Sequence, residues 1–181
     1  MRFWVTAAAM ASASPAAFAV DYLSADQAAQ LIFPEADHWD SSTLALDAAQ
    51  LQALDAAGAK GRSARWELRT ARKAGALLGW VLLDNVVGKY ELISYAVGLD
   101  REGAIRGVEI LSYRESHGSE IRLPAWRKQF VGKNASAPLR VGSDIANISG
   151  ATLSCSHVTD GIRRIVQAVD VARRAQPAWA R

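Results

Sequence analysis

The sequence predicts an α+β domain, an antiparallel sheet of about four strands with helices packed on one side. Three observations carry this expectation. Short strand-like runs follow one another closely over residues 65–113. Two capped helical segments precede them. A long helix follows, with Val158, Ile162, Ile165, Val166 and Val169 on one apolar face. At 181 residues and 50% hydrophobic, the chain is long enough for one well-packed domain and too short for two large ones.

Residues 1–19 have the layout of a targeting signal. Arg2 supplies the charge, Phe3 to Met10 and the Ala-rich run after it supply the apolar core, and Ala17-Phe18-Ala19 is an A-x-A cleavage site. Cutting after Ala19 leaves a mature chain that begins near Val20 and lies outside the cytoplasm, most simply in a periplasm. The apolar run is short and broken by Ser12, Ser14 and Pro15, which disfavours an uncleaved anchor.

Ser24 and Gln27 form a capping box for a short helix that Pro34 stops after Phe33. Residues 35–43 are polar and expected as loop. Asp47 caps a second helix through Ala56, with Leu51 and Leu54 facing inward and Gly58 ending it. Residues 20–64 are thus expected to form an N-terminal helical cap. Strands are expected over 66–70, 77–83, 93–97 and 105–111, the last two joined by the turn Asp100-Arg101-Glu102-Gly103. Connections this short make neighbours antiparallel, because a parallel return needs a long crossover.

Charge and cysteine content narrow the function classes. The net charge of +3 is spread without a basic stripe, which sets nucleic-acid binding aside. Cys155 is the only cysteine, so an intramolecular disulfide and Cys-x-x-Cys metal or haem sites are excluded. His38, His117 and His157 have no metal-ligand spacing. Cys155 is either a small buried residue at a helix start or, with His157 two positions on, a reactive thiol.

The most informative stretch runs from Asp144 to Ser156, Asp-Ile-Ala-Asn-Ile-Ser-Gly-Ala-Thr-Leu-Ser-Cys-Ser. Gly150 permits backbone angles closed to other residues, and Ala151 adds little bulk, so another group can approach the main chain. Thr152, Ser154 and Ser156 place three hydroxyls on alternate positions before a helix expected from Ser156. Ordinary N-capping explains such residues. So does an anion site, because the first turn of a helix offers free N–H groups and the positive end of its dipole.

Ser149-Gly150-Ala151-Thr152, followed by Leu153-Ser154, resembles the signature of the FMN-binding domain family. This family includes the flavin subunits of the sodium-translocating NADH:quinone reductase and of the Rnf electron-transport complex. The resemblance covers about 66–169, so 65–175 would be the FMN-binding domain. It extends through Gly79, Val87-Gly88-Lys89-Tyr90-Glu91 and Ile105-Arg106-Gly107-Val108-Glu109-Ile110 to Glu115-Ser116-His117-Gly118, with Trp126 and Phe130 beyond. The family has Glu-Thr-Pro-Gly where Glu115 and Gly118 match and Ser116-His117 differ. It also commonly has an Asp three residues before the Ser of Ser-Gly-Ala-Thr, where this chain has Ala146.

The resemblance implies FMN joined through a phosphoester to Thr152, installed by a separate flavin transferase, in a protein that exchanges electrons with membrane-bound redox partners. Cofactor contacts would come from Ser149, Gly150, Ala151, Thr152 and Ser154, and from Glu115, His117 and Gly118, whose loop would meet the ring's polar edge. Glu115 could instead cap the next helix or pair with Arg122. Trp126 is expected in the core with Phe130 at i+4. Arg163 and Arg164 are expected in water, and Arg173 and Arg174 at the favourable end of the helix dipole. Pro177 ends that helix, and the tail to Arg181 is expected to be mobile.

Three further readings remain open at the level of sequence. One keeps FMN or another phosphate ligand without the covalent bond. Another is a hydrolase using Ser154 or Cys155 with His157, although no Gly-x-Ser-x-Gly elbow surrounds Ser154. The last is a flavin-free interaction domain.

Overall fold

The computed structural model describes residues 20–59 and 63–176; the expected signal segment and the tail from Pro177 lie outside them. The architecture is α+β. Six strands form one sheet: β1 (Val20–Asp21), β2 (His38–Ala45), β3 (Arg65–Lys73), β4 (Ala76–Val87), β5 (Leu92–Asp100) and β6 (Ile105–Tyr113). Their order is β1-β6-β5-β4-β3-β2 and every pairing is antiparallel. β2 to β6 form a meander, as short connections require.

The expected sheet of about four strands therefore carries two more, one at each edge. β2 falls largely within 35–43, expected as loop. Its sequence, His-Trp-Asp-Ser-Ser-Thr-Leu-Ala, buries only Leu44, so no inward–outward alternation marks it. Pairing with β3 makes it a strand. Consequently 20–64 is not purely helical: it contributes both edge strands to the sheet.

Both N-terminal helices form where their caps predict. α1 (Ala25–Ile32) has the Ser24–Gln27 box, and α2 (Ala48–Ala56) has an equivalent Asp47–Gln50 box. They cover different faces. α2 packs with the long C-terminal helix α4 (Thr152–Ala175), which buries Val158, Ile162, Ile165, Val166 and Val169 against Trp66, Leu68, Trp80, Leu82, Tyr95 and Val97. Each such aliphatic side chain contributes about 1.5–3 kcal/mol when fully buried.

α1 lies on the opposite face, so the helices are not confined to one side. Ala28, Ala29, Ile32 and Phe33 pack there with Ala71, Val81 and Ala96. The approach is close because the floor lacks side chains. Gly98 and Gly107 face each other across β5 and β6, and a Cβ on Gly98 would lie 2.2 Å from Ile32 Cγ2.

The expected sites of Arg163 and Arg164 in water are corrected. Their side chains are only 17% and 13% exposed. Arg164 Nη2 donates to Asp84 Oδ2 at 3.1 Å, and the same oxygen accepts from Trp66 Nε1 and Tyr95 OH. Charge repeats on a helix face look solvated in sequence; here β4 brings an acid beneath the helix. Burial, then the Asp84 charge, pushes the Tyr95 phenol well above its ordinary value. At the helix end, Arg174 pairs with Asp170 and Arg173 Nη1 donates to the Glu102 carbonyl. Asp84→Ala leaves Arg164, Trp66 and Tyr95 without their common acceptor. It should cost about 3–5 kcal/mol in urea unfolding, the penalty for breaking a buried pair from one side.

Candidate functional site

Trp126 and Phe130 anchor the approach to the Ser-Gly-Ala-Thr turn. Both are buried, in an edge-to-face contact at 5.0 Å, with Trp126 near the end of the short helix α3 (Pro124–Arg127). Trp126 is thus a core residue with a second task. Its Nε1 donates to the Ala146 carbonyl, and Gln129 Oε1 accepts from the Ala146 N–H. Both main-chain groups of Ala146 are therefore held, fixing the segment that leads into α4. Asp144, the nearest acid, is committed elsewhere: it accepts from the Leu139 and Arg140 amides and pairs with Lys133.

α4 begins at Thr152, four residues earlier than expected from Ser156. Gly150 has φ +83°, the left-handed turn expected of it, with open space where a side chain would stand. Ala151 is the N-cap residue, and no side chain caps the helix. The hydroxyls of the turn are therefore not N-caps. The first intrahelical bond runs from Cys155 N to Ala151 O, so the N–H groups of Thr152, Leu153 and Ser154 precede the ladder. Thr152 is exposed, and its Oγ1 accepts from Asn147 Nδ2 at 3.0 Å.

The loop after β6 meets this turn through Gly118. Gly118 is left-handed at φ +90°, and a Cβ there would lie 2.7 Å from Ala151 Cβ and 2.6 Å from Tyr113 OH. Only a residue without a side chain permits the contact. Tyr113 OH donates to the His117 carbonyl, leaving Ser154 Oγ to donate to Tyr113 OH at 3.1 Å. Burial pushes the Tyr113 phenol up, which keeps it protonated for this role.

Between the loop and the turn lies a cleft of about 380 Å³, lined by Lys89, Tyr90, Glu115, Ser116, His117, and residues 150–154. Six of the expected site residues line it: Gly150, Ala151, Thr152, Ser154, Glu115 and His117. Two do not: Ser149 precedes the turn outside the lining, and Gly118 lies beneath it, packed on Ala151. Lys89, Tyr90, Ser116 and Leu153 complete the wall. Lys89 and Tyr90 belong to the stretch that carries the family resemblance, but only the fold brings the β4–β5 connection beside the start of α4.

Glu115 neither caps the next helix nor pairs with Arg122. Its Oε1 accepts from the N–H groups of Tyr90, at 2.6 Å, and Glu91, at 3.0 Å. Desolvation raises its pKa, but these amides, with that of Lys89 and the Lys89 charge, outweigh it and hold the carboxyl below its ordinary value of 4.5. Ser154, Cys155 and His157 do not assemble into a nucleophilic centre. Ser154 Oγ is bonded to Tyr113, Cys155 is buried with its thiol pushed up by burial, and His157 Nδ1 donates to the Val87 carbonyl at 2.6 Å.

The donor set fits a phosphorylated cofactor with a large planar ring. Uncapped amides and a hydroxyl stand at one wall, while exposed Tyr90 and Leu153 give apolar surface for a ring. The described residues hold no group of three or more His, Cys, Asp or Glu suited to a metal.

Two outcomes are expected from this geometry. Gly150→Val forces a β-branched residue into left-handed backbone and should cost about 1–2 kcal/mol in thermal or urea unfolding while disturbing the turn. The amides hold Glu115 more strongly as the carboxylate, so that part of its contribution is present above 4.5 and is lost as pH falls through its depressed native value. Glu115→Gln should therefore flatten the loss of stability below 4.5, as measured by thermal melts across acid pH.

Known proteins resemble the stretch of chain that holds this cleft. Residues 88–167 match the model of the FMN-binding domain family. Over 112 residues, the chain is 31% identical to a subunit of the ion-translocating oxidoreductase complex of Stutzerimonas stutzeri; the match covers 56% of this chain and 49% of that protein. The chain thus spans about half the length of this relative. Two solved structures are similar in fold. Shewanella oneidensis NqrC has a TM-score of 0.52 at 15% identity, covering 79% of this chain and 87% of that one. A Na(+)-translocating NADH-quinone reductase subunit from Parabacteroides distasonis has a TM-score of 0.50 at 17% identity, covering 71% and 74%. The resemblance carried by Ser149-Gly150-Ala151-Thr152 is thereby shown: residues 88–167 match the FMN-binding domain family, and the cofactor that this match supports is FMN.

Proposed function

We propose that the chain is a periplasmic flavoprotein that holds FMN by an ester between the cofactor's phosphate and Thr152 Oγ1, and carries electrons between a membrane donor and an extracytoplasmic acceptor. One observation carries the reading. The Thr152 hydroxyl is exposed at the first residue of α4, beside N–H groups that no side chain caps, in the cleft of an FMN-binding domain.

FMN supplies the redox chemistry when bound. The chain's own residues orient and retain it. The α4 amides favour phosphate at the helix start, and Asn147 Nδ2 fixes the Thr152 oxygen by donating to it. Gly150 leaves room above the turn. Ester formation joins Thr152 Oγ1 to phosphorus with the net loss of one water, a step the family resemblance assigns to a separate flavin transferase. Retention gives the bond its purpose, because outside the cytoplasm a dissociated flavin is not readily replaced. The Ala17-Phe18-Ala19 site supports export, and the naming of the Stutzerimonas stutzeri relative as part of an ion-translocating oxidoreductase complex supports membrane redox partners. No helix among the described residues is long and apolar enough to cross a membrane.

Noncovalent FMN binding at the same cleft is favoured by one feature. Ala146 stands where the family commonly has an Asp, and Asp144 is bound to Leu139, Arg140 and Lys133 rather than turned to the site. Intact mass separates the two readings. Exported by its own signal in a host that carries the transferase, the chain should lose residues 1–19 and gain one FMN less one water. Thr152→Ala should remove the adduct and cost no more than about 1 kcal/mol, since one exposed hydrogen bond is lost. Adduct retained in Thr152→Ala contradicts the ester at this residue. A cleaved chain with no adduct, but with dissociable flavin, favours noncovalent binding.

A further inference from the structure

The turn between β4 and β5 is gripped more firmly than a surface connection requires. Its own closing bond runs from Gly88 N to Glu91 O at 2.8 Å. Glu115, arriving from the loop after β6, takes the Tyr90 and Glu91 amides. His157, arriving from α4, donates through Nδ1 to the Val87 carbonyl and lies 3.1 Å from the Gly88 carbonyl. Gly88 is essential to this fit, because a Cβ there would stand 2.6 Å from Glu115 Oε1. Side chains from two separate elements thus bind the donors and acceptors of one short turn.

What the turn holds out is exposed. Tyr90 is 73% exposed, and Lys89 Nζ lies 4.9 Å from the centre of its ring. Both line the cleft, and Lys89 is the one Lys or Arg that does so among the described residues. Leu153, itself exposed, lines the same cleft from α4. An aromatic ring and a cation fixed beside an apolar residue, in a cleft whose other wall carries the phosphate-binding amides, suit the ring end of FMN. A planar ring gains from offset stacking on Tyr90, and a fixed ammonium favours whichever redox form is more negative.

We infer that Lys89 and Tyr90 contact the flavin ring, Tyr90 by covering one face and Lys89 by favouring the reduced form, and that Glu115 and His157 are positioning residues that hold their turn to the cleft. This rests on the FMN reading of the cleft and goes beyond it. Glu115 then acts on the flavin through the turn, not through a bond of its own, which changes the role expected for it from the sequence.

The test uses the full chain loaded with FMN, read by flavin fluorescence and by midpoint potential in a dithionite titration with indicator dyes. Tyr90→Ala should raise flavin fluorescence several-fold, and Tyr90→Phe should keep it quenched. Lys89→Gln should shift the oxidised-to-reduced equilibrium about tenfold towards oxidised flavin, a fall of about 30 mV for a two-electron couple. Lys89→Arg should restore the potential. Glu115→Ala should move both readouts in the same directions with flavin still bound, which a purely structural role would not do; His157→Phe, which removes the other grip on the turn, serves if the alanine variant fails to fold. Normal flavin content with unchanged fluorescence in Tyr90→Ala and unchanged potential in Lys89→Gln overturns this assignment and leaves the FMN reading standing. An unsubstituted chain that takes up no flavin overturns both.

Discussion

The site depends on the contact of Gly118 with Ala151. Two segments far apart in sequence, the loop leaving β6 and the turn entering α4, touch there without an intervening side chain on Gly118. The Tyr113 hydroxyl joins them a second time, through the His117 carbonyl and Ser154 Oγ. Any side chain at 118 would open the cleft from below. Around that contact the fold is a positioning device. The sheet supplies Tyr113 at the end of β6, and the buried face of α4 fixes where its first turn begins. Trp126 and Gln129 hold Ala146 so that the turn approaches from one direction.

Polar groups in this domain divide into two kinds. Asp84, Arg164, Trp66 and Tyr95 form a buried cluster between sheet and helix that sets how α4 lies. Glu115 and His157 instead spend their polarity on the main chain of a turn. Both kinds have a task that is internal to the fold. The groups left facing the cleft are uncapped amides, the Thr152 hydroxyl, Lys89, the hydrogen-bonded Ser116 and His117, and the exposed side chains of Tyr90 and Leu153. A cofactor that brings its own phosphate and its own redox chemistry needs little more from the protein.

Much of the fold was legible because local rules governed it. A capping box placed α1, the Asp47 cap placed α2, and periodicity placed the buried face of α4 and four central strands. The edge strand β2 was not legible, since its solvent-facing residues hide the alternation and pairing with β3 alone makes it a strand. The seat of α1 was hidden for a different reason. Gly98 and Gly107 form a floor only once the register sets them opposite each other. At the site, the Ser-Gly-Ala-Thr turn announced itself through its residue types. Lys89 and Tyr90 did not, because nothing local in a surface turn indicates which distant helix it will face. Arg164 misled because the acid that buries it lies eighty positions earlier in the chain.

In the proposed site three separate segments, 88–91, 115–118 and 150–154, hold one flavin. Hydrogen–deuterium exchange of the flavin-loaded chain against the flavin-free chain tests this, since even hydrogen-bonded turn amides exchange through local opening, which a bound ligand suppresses. Slower exchange is expected in all three segments together, with no change in the separate groove between α2 and α4 that Ala49, Ala53, Gln167 and Asp170 line. Protection confined to 150–154, or centred on the α2–α4 groove, would contradict it.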